Sequence, residues 1–132
     1  MEKKWVITGL ILVIIAIILG AFGAHGLKDL TSDNDILAAF DTATKYQFFQ
    51  GLGFLIIPFI TTRFAISGKA VFYLLLLGTI FFSGSIYGLT YSKVHAGGSL
   101  SKVFGPVTPI GGLLMIVGWT VLLIQVIRSR NS

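Results

Sequence analysis

Cysteine is absent from this 132-residue chain, which excludes a disulfide framework, thiol chemistry and any Cys-ligated zinc or iron–sulfur centre. Charge is scarce as well. Asp, Glu, Lys and Arg make up 11% of the residues, against roughly 25% in a soluble domain. The shortage is concentrated in four runs, Trp5–Ala24, Tyr46–Thr62, Ala70–Tyr91 and Pro109–Ile127, which hold none of the four residue types. No polar stretch is long enough for a separate soluble domain, so residues 1–132 read as one domain. The two histidines, His25 and His95, have no neighbouring ligands of zinc type. Asp29, Asp33 and Asp35 lack the glycine and terminal Glu of a calcium loop. Neither a metal nor a cofactor is expected.

What the chain has in abundance is apolar surface: 55% hydrophobic residues and a mean hydropathy of +0.90. A helix rises about 1.5 Å per residue, so ~20 residues cross the ~30 Å hydrocarbon core of a bilayer. The runs therefore predict an all-α integral membrane protein, a four-helix bundle of up-down topology with spans near 5–24, 46–62, 70–91 and 109–127. The first run is longer than the ~7–15-residue core of a signal peptide and is read as a retained span. The net charge of +5 is scattered over tails and connections rather than gathered into a stripe, which argues against nucleic acid as a partner. With four spans, Lys3, Lys4, Arg63, Lys69, Arg128 and Arg130 share one side, and Lys28, Lys45, Lys93 and Lys102 the other. The excess predicts both termini in the cytoplasm.

Local signals refine the spans. The first helix is expected to stop at His25-Gly26. Ala16, Gly20 and Ala24 form a small-residue stripe, with Gly23 beside it, suited to close helix contact in lipid. Thr31–Asp35 offers N-cap chemistry for an amphipathic lead-in, lying at the interface or extending the second span outwards, along which Asp41 and Lys45 are spaced for an i,i+4 ion pair. Pro58 should kink or shorten the second span. In the third, Thr79, Ser83 and Tyr87 make one stripe and Gly84 and Gly88 another. Ser92–Gly105 reads as a polar connection, after which Thr108 as N-cap and Pro109 at the first helical position start the fourth helix. Gly111, Gly112 and Gly118 follow as packing positions, and Trp119 falls at mid-depth.

Up-down threading brings His25, Tyr46, Gln47, Gln50, Tyr87 and Thr108 towards one face, the outer one in this orientation, with Ser83 and Ser85 deeper. The motifs Gly20–Leu27, Tyr46-Gln47, Phe82–Tyr87, Thr108–Gly112 and Gly118-Trp119 stand in order along nearly the whole chain. Together they resemble the YgdD/YwdK-type family of small bacterial membrane proteins, a domain of unknown function. The resemblance implies a four-helix, multi-pass protein of the bacterial plasma (inner) membrane and brings no activity with it. Two features depart from the family pattern: Gln50 stands where the family often has His, and the Ser92–Gly105 connection is longer.

The leading reading is a non-enzymatic protein. Its outer-leaflet pocket, lined by His25, Tyr46, Gln47, Gln50, Ser83, Ser85, Tyr87 and Thr108, would bind a small polar or lipidic ligand or a partner helix. His25, at a helix C-terminus, would favour its protonated form; the plainer reading is an interfacial histidine capping carbonyls beside Gly26. Ser83 or Ser85 with His25 and Asp29 supplies the residue types of a hydrolase but none of its local motifs. An oligomeric transporter or channel is the alternative, although no span carries a charged residue. A structural subunit of a larger membrane complex comes third. The expected partners are the lipid bilayer, a second copy of the chain or another membrane protein.

Overall fold

A computed structural model describes residues 2–95 and 101–130 of the chain. Its elements are α1 (Glu2–Ala24), α2 (Gly26–Leu30), α3 (Asn34–Arg63), α4 (Lys69–Thr79), a π-helical turn (Ile80–Gly84), α5 (Ser85–His95) and α6 (Ser101–Arg128). Among the described residues there is no strand. Three helical stretches are long and apolar enough to cross a membrane: Glu2–Ala24, Lys69–His95 and Phe104–Arg128.

The connections follow from cap chemistry. The Asp33 carboxylate accepts from the Asp35 and Ile36 N–H groups at 2.9 and 3.5 Å, starting α3 at the expected turn. The helix ends in a Schellman motif. Ile66 N–H donates to the Thr61 carbonyl at 3.0 Å and Ala65 N–H to that of Thr62 at 3.3 Å, with Ala65 left-handed at φ 51°. That position usually belongs to glycine, because a Cβ there crowds the backbone.

The helices pair antiparallel. As α1 runs forward, Trp5 meets Phe54, Gly9 meets Gly51, Leu12 meets Gln47 and Gly23 meets Phe40, so α3 runs back. In the same sense Leu75 meets Gly118, Gly78 meets Gly111 and Gly88 meets Phe104 between the Lys69–His95 stretch and α6. Lipid tails are as apolar as Leu, so helix association here depends on close packing and internal hydrogen bonds. Both occur. An added Cβ at Gly9 would lie 2.8 Å from the Gly51 carbonyl oxygen, and one at Gly51 3.1 Å from that of Gly9, so glycine at both places permits the α1–α3 crossing. The Trp5, Phe54 and Phe72 rings meet with centroids 4.9–5.3 Å apart at the centre of the core, joined by Ile57, Val71, Leu75 and Leu122.

Three elements differ from the sequence expectation. The lead-in extends the second span outwards, as one of the two expected arrangements had it, but the helix, Asn34–Arg63, runs on past Pro58 rather than ending early there. Asp35, Asp41, Lys45 and Arg63, together with Gln47 and Gln50, make this helix less apolar than those three stretches. The last helix starts at Ser101 rather than at Thr108-Pro109, and Pro106 and Pro109 lie within it. The Phe104 ring seats on Gly88, within 2.8 Å of where a Cβ would be, and ties the first turns of α6 to α5. The third span is interrupted at Ile80–Gly84 by a π-helical turn that the Gly-Ser pattern did not announce. Of the expected Ser92–Gly105 connection, residues 96–100 lie outside the described residues.

Candidate functional site

The polar side chains of the interior are spent largely on one another. α3 turns Ala43, Gln47 and Gln50 inward at helical spacing. The Gln47 amide donates to the Leu12 carbonyl on α1 at 2.9 Å, and its oxygen accepts from the Tyr87 hydroxyl on α5 at 2.7 Å. Ser83, on the π-helical turn and 2% exposed, donates to the Ala43 carbonyl at 2.8 Å. Ser85 bonds back to the Phe82 carbonyl and pairs with the Thr108 hydroxyl of α6. The Trp119 indole donates to the Gln50 oxygen at 3.0 Å. These bonds tie α1, α3, α5 and α6 across an apolar interior, where an unmade hydrogen bond is expensive.

Six of the eight residues expected to line a pocket (Gln47, Gln50, Ser83, Ser85, Tyr87, Thr108) thus belong to helix-bridging bonds. Tyr46 stands at the edge, its ring 5.2 Å from that of Phe82 and 6.4 Å from that of Phe49. His25 is not brought to them. It is exposed at the α1–α2 junction, where its backbone N–H bonds to the Phe22 carbonyl and its side chain makes no capping bond.

Open space adjoins this network on two sides. A groove of about 240 Å³ runs between the α1–α2 corner and α5, walled by Leu19, Phe22, Leu27, Phe40, Tyr87 and His95. A larger cleft of about 510 Å³ opens between α3, the π-helical turn and α6, lined by Tyr46, Gln50, Phe82, Gly112, Met115, Ile116, Trp119 and Thr120. Gln50 is 8% exposed. Its oxygen is taken by Trp119, while its amide nitrogen finds no partner among the described residues. The cleft therefore combines three aromatic rings and a thioether with polar groups, the Gln50 amide N–H groups and the Tyr46 hydroxyl, that no other described residue bonds.

The expected packing positions sort by what a Cβ would meet. Gly23 lies against the Phe40 ring, Gly88 against Phe104, Gly118 against Leu75 and Gly111 against the Phe81–Phe82 backbone. Ala16 is buried. Gly20 has nothing within 4 Å, Gly84 only its own Ile80 at 4.0 Å, and Gly112 an ordinary contact with Phe82 at 3.6 Å. Ala24, exposed, borders a small cleft with Lys28 and Asp41. Gly9, Gly51, Gly53 and Gly78 were not singled out from the sequence, yet all four sit at close approaches. Their only sequence signal is a glycine inside an apolar run.

The opposite end of the bundle gathers the start of α1 and the end of α6. Thr62 donates to Glu2 at 3.0 Å, Lys4 sits 4.2 Å above the Phe72 ring, and Ser129 donates to the Phe64 carbonyl at 3.0 Å. Gln125 donates its amide to the Ser67 carbonyl at 3.0 Å, and its own oxygen is buried with no donor among the described residues. Beside it lies a cleft of about 500 Å³ bordered by Phe64, Ser67, Arg128 and Arg130.

Comparison with known proteins places the chain among relatives. The family described as "Protein of unknown function (DUF423)" matches residues 19–112. A UPF0382 membrane protein of Staphylococcus epidermidis (strain ATCC 12228) is 40% identical over 126 residues, covering 96% of this chain and 97% of its own. The chain belongs to the DUF423/UPF0382 membrane protein family. A Staphylococcus haemolyticus member is 37% identical over the same share of each chain. One from Schizosaccharomyces pombe is 38% identical over 108 residues, covering 80% of this chain and 86% of its own. The DUF423/UPF0382 family thus extends beyond bacteria. No solved structure matches.

Proposed function

We propose that this DUF423/UPF0382 protein crosses the membrane four times in up-down order and acts without catalysis, holding a lipidic ligand in the cleft between α3 and α6. Three helices qualify as spans by length and apolarity alone. The fourth crossing is supported by the pairing of α3 with α1 from Trp5–Phe54 to Gly23–Phe40, since a helix lying along a span shares its depth. The two glutamines within its apolar run are bonded to Leu12, Tyr87 and Trp119. On the positive-inside bias, both termini lie in the cytoplasm.

The observation that carries the ligand reading is the unpaired Gln50 amide at the wall of an otherwise apolar, aromatic cleft of about 510 Å³. That volume falls in the range of small-molecule sites, roughly 300–1,000 Å³. A small polar ligand is disfavoured, because Gln47, Ser83, Ser85, Tyr87 and Thr108 are already bonded to other helices. A lipid with a carbonyl acceptor suits both the apolar wall and the Gln50 amide N–H groups.

The test is native mass spectrometry of the full chain extracted with its surrounding lipid and without detergent. Wild type should carry a defined lipid mass. Gln50→Leu, which removes the donor, and Gly112→Leu, which fills the cleft from a position where a Cβ makes only ordinary contact, should both lose it. Identical lipid populations on all three proteins would refute the reading.

A further inference from the structure

The cleft at Gln50 lies at mid-depth, and three spans agree on that. The middle residue of Phe104–Arg128 is Ile116 and that of Lys69–His95 is Phe82, and both line the cleft. The middle of Glu2–Ala24 is Val13, whose methyl lies 2.8 Å from where Gly51 would carry a Cβ, so neighbouring Gln50 stands at the same level. A phospholipid keeps its ester carbonyls at the edge of the hydrocarbon core, about half of its ~30 Å thickness away. Drawing one of them to Gln50 would pull a charged headgroup into the bilayer centre, where charge is costly. The lipid that meets the Gln50 amide must instead carry a neutral acceptor that resides within the hydrocarbon.

The surroundings narrow its shape. Tyr46, Phe82 and Trp119 present rings to one space and Met115 a thioether, groups that favour a flat ring as partner. Gln50 and Tyr46 stand one helical turn apart on α3, so a ring with carbonyls on opposite edges offers an acceptor to each. From Trp119 a shallower groove of about 300 Å³ continues, walled by Ile60, Leu122, Leu123 and Val126. Ile116, Trp119, Leu123 and Val126 follow one another at intervals of three and four residues, which keeps cleft and groove on one face of α6. Trp119 is common to both, and its indole, taken by Gln50, is the one hydrogen-bonding side chain of the groove. From Ile116 to Val126 the face runs about 15 Å at helical rise, a seat for hydrocarbon alone. Ile116 and Leu123 are exposed, so a ligand enters from the bilayer without crossing water.

We propose that the α3–α6 seam binds a prenylated quinone, its ring in the Tyr46–Trp119 cleft with a carbonyl on the Gln50 amide and its prenyl chain in the groove past Leu123. This inference rests on the lipid reading of that cleft and adds the ligand class and the direction in which the chain lies. A quinone is neutral, so its ring dwells at mid-depth without burying a charge, and its flat face stacks on indole and phenol rings. A diacylglycerol is also neutral and carries carbonyl acceptors and apolar chains, but it has no ring for the three aromatic walls.

The experiment uses the full chain in phosphatidylcholine nanodiscs, with a tetraprenyl naphthoquinone, its monoprenyl analogue and a diacylglycerol as probes at equal mole fraction. Retained ligands are counted by native mass spectrometry. Wild type should retain the tetraprenyl quinone about tenfold better than the diacylglycerol. Gln50→Leu should lower quinone retention about tenfold, as one lost hydrogen bond in an apolar site implies. Leu123→Trp adds bulk at a lipid-facing position; it should weaken the tetraprenyl quinone several-fold and leave the monoprenyl analogue unchanged. Gly112→Leu should shed all three probes. Quinone retention that survives Gln50→Leu undiminished overturns the inference, and so does an equal response of the two quinones to Leu123→Trp. If wild type holds diacylglycerol as well as quinone and Gly112→Leu sheds both, the cleft reading stands and the quinone inference alone fails. If wild type holds neither, or Gly112→Leu sheds neither, the two fall together.

Discussion

Adjacent glycines on α6 should respond in opposite ways to the same substitution. A Cβ added at Gly111 would fall among backbone atoms, 2.7 Å from the Phe81 carbonyl carbon and 2.8 Å from the Gly78 oxygen, and closer still to the Phe82 nitrogen. None of these atoms can rotate away, so α6 must separate from the π-helical turn and forfeit the packing that replaces the hydrophobic effect in lipid. Overpacking of this kind costs about 1–3 kcal/mol, and backbone against backbone belongs at the upper end. At Gly112 the nearest atom is Phe82 Cδ1 at 3.6 Å, an ordinary contact, so Ala there keeps its helix-propensity gain of up to about 1 kcal/mol. Gly111→Ala and Gly112→Ala should therefore differ by roughly 3 kcal/mol, the first destabilised and the second unchanged or slightly stabilised. Equilibrium unfolding of each purified variant in mixed micelles, followed by circular dichroism, measures the difference. Equal stability of the two, or a tolerated Gly111→Ala, would show that α6 does not cross the π-helical turn as described.

Two other predictions concern the interior bonds and the α3–α4 corner. In a double-mutant cycle of Gln47→Leu and Tyr87→Phe, unfolding free energies should reveal a coupling of about 0.6 kcal/mol and no more than ~1.7, the range for hydrogen bonds between membrane helices; additive losses would show that the 2.7 Å bond is not made. Ala65→Gly should stabilise the protein by up to about 1 kcal/mol, because relief of the left-handed strain outweighs the added freedom of the unfolded chain. A loss of stability in that variant would contradict the Schellman geometry.

Much of the fold is legible in composition and local chemistry. Charge-free runs mark the helices, Asp33 starts α3 where the Thr31–Asp35 turn suggested, and Asp41 and Lys45 meet at 2.7 Å across one helical turn. These features depend on neighbours a few residues apart. What stayed hidden depends on distant partners. Nothing near Gln50 reveals that Trp119 will take its oxygen, or near Phe104 that Gly88 will seat its ring and carry α6 back to Ser101. The small-residue stripe on α1 suggested contact at Ala16, Gly20 and Ala24, but the closest crossing falls at Gly9, whose partner Gly51 belongs to another run. Up-down threading placed most of the candidate polar residues towards one another but could not show that they would be paired. Once they are, the ligand reading passes to the Gln50 amide and the apolar walls around it. His25 looked chemically richest in one dimension and stands apart in three.

The most direct test of the lipid-binding account is photocrosslinking in a native bilayer, with a benzophenone amino acid placed at Ile116 in the cleft or at Leu113, which is exposed and outside it. The account predicts one defined lipid adduct from position 116 and, from position 113, a mixture matching the bulk membrane. The same bulk mixture from both positions would contradict it.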